Sequence, residues 1–312
     1  MFAPCPAPFN LAAHALAHAA DLGEKPALQI VGAAMESYSY ARLEAAMRGC
    51  GTWLLAQGLA PGDLVLLRLG NTAAFPIAFL GAIAVGLVPV PTSAALTVPE
   101  ISAMAAALSP GLILADDGVP LPDHPAPVLP AAAILAAEAL PPCAYVMQDP
   151  DQLAYVVFTS GTSGRPLPVA HAHRALWARR MMHQGWEGLR REDRLLHDGA
   201  FNWTYTLGTG LLDPWVMGAT ALIPAAGTQA ADLPALLLTH RATIFAAAPG
   251  VYRQMLKTAL PALPDLRHGL SAGEALSPVI AAAWRKAAGT DVHQALGMSE
   301  CSTFISGSPD RP

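Results

Sequence analysis

Charge is scarce in this chain. Only 13% of its 312 residues are charged, with 18 lysines and arginines against 23 aspartates and glutamates, about half the ~25% usual for a soluble domain. A formal net charge of −5 excludes a basic nucleic-acid binder, and 53% hydrophobic residues exclude a disordered chain. Cysteine is scarce as well: Cys5, Cys50, Cys143 and Cys301 lie far apart, with no CxxC pair among them. The opening MFAPCPAPF lacks the basic segment and the continuous apolar run of an export signal. A reduced, cytoplasmic protein is the expectation. At about 150 residues per domain, the length predicts one large or two ordinary domains with ample core.

One long hydrophobic run stands against that background. Ala73 to Pro91 carries 19 residues without a charge, close to the ~20 needed to span a bilayer. Pro76, Gly81, Gly86, Pro89 and Pro91 interrupt it, and no lysine or arginine cluster flanks it. The pattern predicts a buried helix over 74–85 that passes through a glycine turn into a short buried strand, and no membrane partner.

The remaining pattern alternates helix and short apolar strand. Leu43, Ala46, Met47, Cys50, Trp53 and Leu54 recur at helical spacing over 41–57, Gly58 ends that helix, and Pro61-Gly62-Asp63 turns into a strand over 64–69. A helix over 97–108 and a strand over 111–115 repeat the unit. Residues 116–150 are proline-rich and read as a surface excursion with one helix over 131–140. Beyond them, strands are expected over 153–158, 194–197, 219–223, 244–246, 266–270 and 292–294. Helices are expected over 174–185, 209–217, 233–240, 249–260 and 278–288. Such alternation predicts an α/β fold with mostly parallel sheets covered on both faces.

The stretch with most chemical content is Phe158 to Pro166. Thr159, Ser160, Gly161, Thr162, Ser163 and Gly164 follow a buried strand and precede Arg165. Glycines let backbone N–H groups turn toward an anion and hydroxyls add donors, so the segment suits a polyphosphate; a generic small-residue loop has the same composition. The P-loop lysine is missing, and the glycine and serine spacing is not that of a nucleophile elbow. His171, His173, His183 and His197 raise the question of a metal site, but the sequence offers no cysteine or acidic partner at ligand spacing.

Phe158 to Val169 resembles the phosphate-binding loop of the adenylate-forming superfamily, which comprises acyl- and aryl-CoA synthetases, luciferases and peptide-synthetase adenylation domains. Three further resemblances fall in the same order along the chain. Gly58 to Asp63 resembles that family's G-(V/L)-x-P-G-D turn, Phe79 to Ile83 with Val88 to Pro91 its FLGA…PVP segment, and Ser271-Ala272-Gly273-Glu274-Ala275-Leu276 with Gly297-Met298-Ser299-Glu300 its adenine loop and GxTE motif. Within the family, SAGEAL, GMSE with Phe304-Ile305-Ser306, and Trp203-Thr204-Tyr205-Thr206-Leu207-Gly208 resemble benzoate-CoA ligases.

The resemblance implies two-step chemistry in which a carboxylate attacks the α-phosphate of ATP and a thiol, normally CoA, then displaces AMP. It implies that Thr159 to Gly164 with Arg165 wrap the phosphates. It further implies that Gly273, Glu274, Ala275 and Gly297 lie against the nucleotide, that Ser299 contacts the α-phosphate, and that Glu300 holds Mg²⁺. Trp203, Tyr205, Ala272 and Thr303 are implied to shape the pocket of a small aromatic or hydrophobic carboxylic acid. Plain alternatives remain, with Trp203 and Tyr205 as core aromatics and Glu300 as a helix-start carboxylate.

The chain departs from the family in carrying Leu167 and Pro168 where the family has lysine and glycine, with Ser163 and Ser299 for two threonines. The resemblance implies two interleaved αβα subdomains, 8–58 with 186–305 and 59–185, and a chain that lacks the family's later C-terminal domain. Three readings follow: the N-terminal portion of a carboxylate-CoA ligase, inactive or weakly active alone; an adenylation enzyme loading a carrier-protein thiol; and a non-catalytic nucleotide- or acyl-adenylate-binding relative.

Overall fold

A computed structural model describes residues 3–159 and 166–308, without the side chains of 302–304. The chain forms two compact units. The first comprises residues 1–23, 40–178 and 200–202, the second 24–39, 179–199 and 203–312. Both are α/β, as the alternation predicts. Helices α1 (Leu11–Ala15) and α2 (Ala19–Leu22) open the first unit; β1 (Pro26–Val31) and β2 (Glu36–Ser39) belong to the second. Helix α3 (Tyr40–Ala56) then returns the chain to the first.

In the first unit, β3 (Leu64–Arg68), α4 (Ala74–Ala84), β4 (Val88–Pro91), α5 (Val98–Leu108), β5 (Leu112–Ala115) and β6 (Val128–Pro130) build a parallel sheet of order β4-β3-β5-β6. Every residue of α4 is buried, so the uncharged run is a core helix; among the described residues no helix is long and apolar enough to cross a membrane. Helix α4 meets α3 through two glycines. A Cβ on Gly81 would lie 2.8 Å from the Met47 carbonyl oxygen, and one on Gly51 would lie 2.9 Å from Val85 and 3.2 Å from the Gly81 carbonyl oxygen. Thr97 and Glu100 cap α5 reciprocally, with the Thr97 N–H donating to Glu100 at 2.8 Å. Helix α6 (Ala131–Ala136) continues as one 3-10 turn, and β7 (Leu153–Phe158) pairs antiparallel with β8 (Pro168–Ala172) before α7 (Arg174–Gly185).

The second unit is built on an eight-stranded sheet. After β1 and β2 come β9 (Arg194–Asp198), a π-helix (Thr206–Leu212) running into α8 (Asp213–Val216), β10 (Thr220–Pro224), α9 (Leu233–Thr239) and β11 (Ile244–Ala247). Helix α10 (Pro249–Met255), β12 (His268–Ser271), α11 (Pro278–Ala288), β13 (Val292–Met298) and β14 (Ser302–Ser306) complete it. The order is β14-β13-β12-β11-β9-β10-β1-β2. The six inner strands are parallel, and β2 and β14 pair antiparallel at the two edges.

Several elements differ from the sequence reading. The stretch 8–58 divides between the units: β1 pairs with β10 in the second, while α3 packs its small-residue face on α4 in the first. The first unit accordingly runs over 40–178 where 59–185 was expected. Strands β6 and β8 are short, with prolines at the end of one and the start of the other, where a missing N–H is tolerated. The helix expected over 209–217 begins three residues earlier with a π-helical turn. The strand expected over 292–294 extends to Met298 and folds back as β14.

Candidate functional site

In the first unit the hydroxyl- and glycine-rich segment joins β7 to β8. Thr159 sits at its entry, its N–H donating to the Leu167 carbonyl at 3.0 Å and closing the hairpin neck. Ser160, Gly161, Thr162, Ser163, Gly164 and Arg165 lie outside the described residues. Leu167, standing where the family has lysine, is 59% exposed, so the chain presents an apolar side chain there. His171 stacks on Tyr155 at 4.7 Å, and His173 Nδ1 accepts from the Leu11 N–H at 2.9 Å while its Nε2 contacts Gln148. Burial lowers His173 to about 4. His173 thus ties α1 to the segment that carries Gln148, and His171 packs across the β7–β8 hairpin.

In the second unit, the parallel strands deliver most of the remaining expected residues to one end of the sheet. Trp203 and Tyr205 precede the π-helix and meet edge to face at 5.2 Å. The Tyr205 hydroxyl donates to the Leu270 carbonyl at 3.0 Å, near the carboxyl end of β12, and its ring lies 4.5 Å from that of His197 at the end of β9. Burial pushes the Tyr205 phenol well up and lowers His197 to about 3. Just past β12, Ala272 is buried while Gly273, Glu274 and Ala275 are exposed. Gly273 has φ +98°, and a Cβ there would lie 2.7 Å from the Trp203 indole. The position therefore requires glycine twice, for its backbone and for the ring against it. Leu276 anchors the loop through its N–H, which donates to Gln294 Oε1 at 2.8 Å on the neighbouring strand β13.

At the end of β13, Gly297 pairs with Thr303, and the Cys301 N–H donates to the Met298 carbonyl at 3.2 Å. Ser299 and Glu300 thus occupy the centre of a tight turn between antiparallel strands, with Glu300 exposed. Glu300 is not a helix-start carboxylate, because β14 follows at once. The side chain of Thr303 lies outside the described ones.

A further polar cluster in this unit had no counterpart in the sequence reading. Atoms of His183, Glu187 and Asp213 lie within 4.8 Å of one another, all buried. This corrects the expectation that the histidines lack acidic partners at ligand spacing: Glu187 stands four residues after His183, and the fold supplies Asp213. The cluster carries its own cation, however. Arg179 Nε donates to Asp213 Oδ1 at 2.8 Å and Oδ2 at 3.1 Å, Nη2 also bonds Oδ2, and His183 Nε2 lies 3.2 Å from Oδ1. Burial pushes Asp213 up, but Arg179 and His183 outweigh it and hold the carboxyl well below the usual range. Burial, and then the Asp213 charge, push Glu187 far up. A neutral Glu187 beside an Arg179–Asp213 ion pair balances the cluster without an added cation.

The profile of the AMP-binding enzyme family matches residues 16–312. Among curated relatives, the chain is 28% identical to the 3-hydroxybenzoate–CoA/4-hydroxybenzoate–CoA ligase of Thauera aromatica, over 93% of this chain and 59% of that protein. It is 30% identical to the benzoate–CoA ligase of the same organism, over 85% of this chain and 54% of that protein. A solved benzoate CoA ligase from Burkholderia xenovorans LB400 superposes with a TM-score of 0.86 at 26% identity, over 97% of this chain and 64% of that one. The chain therefore spans somewhat more than half the length of these relatives.

Proposed function

The chain belongs to the AMP-binding enzyme family, and from that premise we propose that it forms the acid- and nucleotide-binding part of an ATP-dependent carboxylate-CoA ligase acting on a small aromatic acid. The observation that carries the proposal is the contact between Trp203 and Gly273. It sets an aromatic wall directly against a loop whose exposed backbone is open to a flat ring. An aryl acid held by Trp203, Tyr205 and Ala272 would lie beside a nucleotide held by Gly273, Glu274, Ala275 and Gly297. The relatives that act on benzoate and hydroxybenzoates support the choice of acid.

Adenylation joins two anions, so the site must align a carboxylate with the α-phosphate and neutralise charge as the bond forms. Ser299 contributes a hydroxyl donor at the turn after β13; in the first unit, Thr159 at the hairpin neck is the described residue of the proposed phosphate segment. The exposed Glu300 carboxylate fits Mg²⁺, a hard cation that takes one or two carboxylates and otherwise binds phosphate oxygens. Bound there, the ion would neutralise phosphate charge. The buried Tyr205, its hydroxyl committed to Leu270, presents ring rather than acid to the substrate and excludes water. The acceptor in the second step is CoA, and carrier-protein loading shares the first step. The four free thiols fit a reduced cytoplasm.

Acid-dependent ATP–pyrophosphate exchange by the protein, with benzoate, hydroxybenzoates and 2-aminobenzoate as the panel, tests the proposal. Exchange above the no-acid rate with at least one aryl acid is expected. Its absence across the panel, with ATP still bound in a titration, favours a second reading: a nucleotide-binding relative without turnover. The exposed Leu167 in place of the loop lysine is the observation on that side. Leu167→Lys should then raise ATP affinity without creating exchange.

A further inference from the structure

The π-helix is the least ordinary element in the second unit, and its surroundings give a reason for it. All seven of its residues are buried. π-Helical turns are rare and occur frequently at functional sites, and this one is braced from outside the helix. That support comes from α7 and the residues after it. A Cβ on Gly208 would land on the Arg179 guanidinium, so the arginine lies flat on the π-helical backbone where a side chain is missing. Arg179 also reaches Thr209 Oγ1 at 3.3 Å and grips both oxygens of Asp213, the first residue past the π-helix. Gly210 makes the matching approach on the other side, where a Cβ would come 3.0 Å from the His197 ring. Glu187, fully buried, brings a carboxyl oxygen within 4.8 Å of one on Asp213, and neither of its oxygens makes a hydrogen bond of ordinary length.

We propose that Arg179, Asp213 and Glu187 are positioning residues: a buried polar clamp that holds residues 206–212 in π-helical register and thereby sets Trp203 and Tyr205 as the wall of the acid pocket. Tyr205 is the residue immediately before the π-helix, and the Leu207 N–H donates to the Trp203 carbonyl at 2.9 Å. A change of register by one residue would swing both rings by about 100°, since each helical residue advances by 360° over about 3.6 residues. That would break the bond from Tyr205 to Leu270 and lift the indole from Gly273. An apolar interface would pack the same helix at lower desolvation cost; the ion pair adds direction, because a bidentate arginine accepts one carboxylate geometry. The groups facing Glu187 are Asp213, Arg179, Thr209 and Tyr205, with His183 on Asp213 and His268 bonded to the Glu187 carbonyl. A neutral Glu187 adds no second negative charge beside Asp213, whereas an ionised one would repel it.

The choice of an aryl acid rests on the proposed function, whereas the clamp itself does not, and the test separates them. The double variant Arg179→Met/Asp213→Leu removes the pair and fills its volume with apolar atoms, and Glu187→Gln fixes a neutral side chain. Three readouts are taken on the full chain: the melting temperature, the Trp203 emission obtained by subtracting matched Trp203→Phe variants, and the Kd for 2-aminobenzoate. The double variant is expected to melt near the parent while its Trp203 emission shifts to the red and its acid affinity falls about tenfold, the scale on which lost preorganisation acts. Glu187→Gln is expected to keep the parent Trp203 emission and to hold it as pH rises, where the parent's shifts. Unchanged Trp203 emission in the double variant overturns the clamp, as does a rise in parent melting temperature on adding Zn²⁺ that Glu187→Gln abolishes. If the parent binds none of the aryl acids, the proposed substrate class fails, and Trp203 emission alone still decides the clamp.

Discussion

Two helices, one in each unit, are buried along their whole length, and they are held by opposite means. Helix α4 has no titratable residue, and it is seated by backbone proximity to α3 at Gly51 and Gly81. The π-helix with its first α8 residue buries Thr206, Thr209 and Asp213 at 0% exposure and is gripped by an arginine. Dispersion and close packing suffice to bury an element, and many apolar sequences do it equally well. Fixing one register requires directional bonds, and the molecule uses them at the helix that Trp203 and Tyr205 lead into. Burial serves stability in the first case and placement in the second.

Removing one partner of the ion pair tests this contrast most severely. Asp213→Ala leaves the Arg179 charge buried without its carboxylate and should cost about 3–5 kcal/mol, read as a loss of folded protein in urea unfolding. Its counterpart at α4 is Gly81→Val, which drives side-chain atoms into the Met47 carbonyl and should cost about 1–3 kcal/mol from overpacking. Crucially, it should leave the Trp203 emission of the folded fraction where it was. If Gly81→Val moves that emission as far as the clamp variants do, the contrast between seating and placement fails.

The dependence on pH sharpens the comparison, because α4 contributes nothing to it. An unfolded glutamate titrates near 4.5 and folded Glu187 well above that. Its contribution is therefore complete below pH 4.5 and is lost as pH rises toward the folded value, by up to about 1.4 kcal/mol per pH unit. Glu187→Gln should remove that decline in a series of melts from pH 5 upward. His197, lowered to about 3, and His173 and His268, lowered to about 4, act in the opposite sense. Their contribution is complete above the ordinary histidine value of 6.5 and is lost as pH falls through that value toward 4. Parent and Glu187→Gln should therefore converge below pH 4.5 and separate progressively as pH rises above it, on top of a histidine limb that both share. The smallest effect is expected at Gly273→Ala, which imposes a positive φ on a residue with a Cβ and presses on Trp203. A loss of about 1 kcal/mol is expected, together with a shift of Trp203 emission that Gly227→Ala, at a positive φ with open space around it, does not give.

Most of the architecture was legible because apolar periodicity reports burial directly. Helices α3, α4, α5, α7 and α11 and strands β3, β4, β5 and β7 lie within a few residues of where spacing and turn signals put them. Three kinds of element escaped. The early strands β1 and β2 have no repeat of their own and are strands because β1 finds β10 nearly two hundred residues later in the chain. Strands β6, β8 and β14 are too short or too polar for period-two alternation to register. The π-helix reads as an ordinary helix because Thr206 to Leu212 carries no local mark of its widened turn.

The site divides in the same way. Gly273, Glu274, Ser299 and Glu300 could be proposed for the site from motif order alone, and Trp203 with Tyr205 from the aromatic segment that contains them. The cluster around Glu187 could not. His183 and Glu187 have helical spacing that also suits a solvated face, Arg179 is one of two adjacent arginines, and Asp213 is an isolated acid among apolar residues.

By itself, then, the sequence determined the α/β alternation, the core character of the uncharged run and the ordered motifs of the AMP-binding family, because each is encoded in residues close together in the chain. Only the tertiary structure decided that α3 packs with the first unit while β1 and β2 join the second, that Gly273 must accommodate Trp203, and that an arginine, an aspartate and a buried glutamate meet beside the π-helix. Those outcomes depend on desolvation and on contacts between distant segments, and neither exists until the chain has folded.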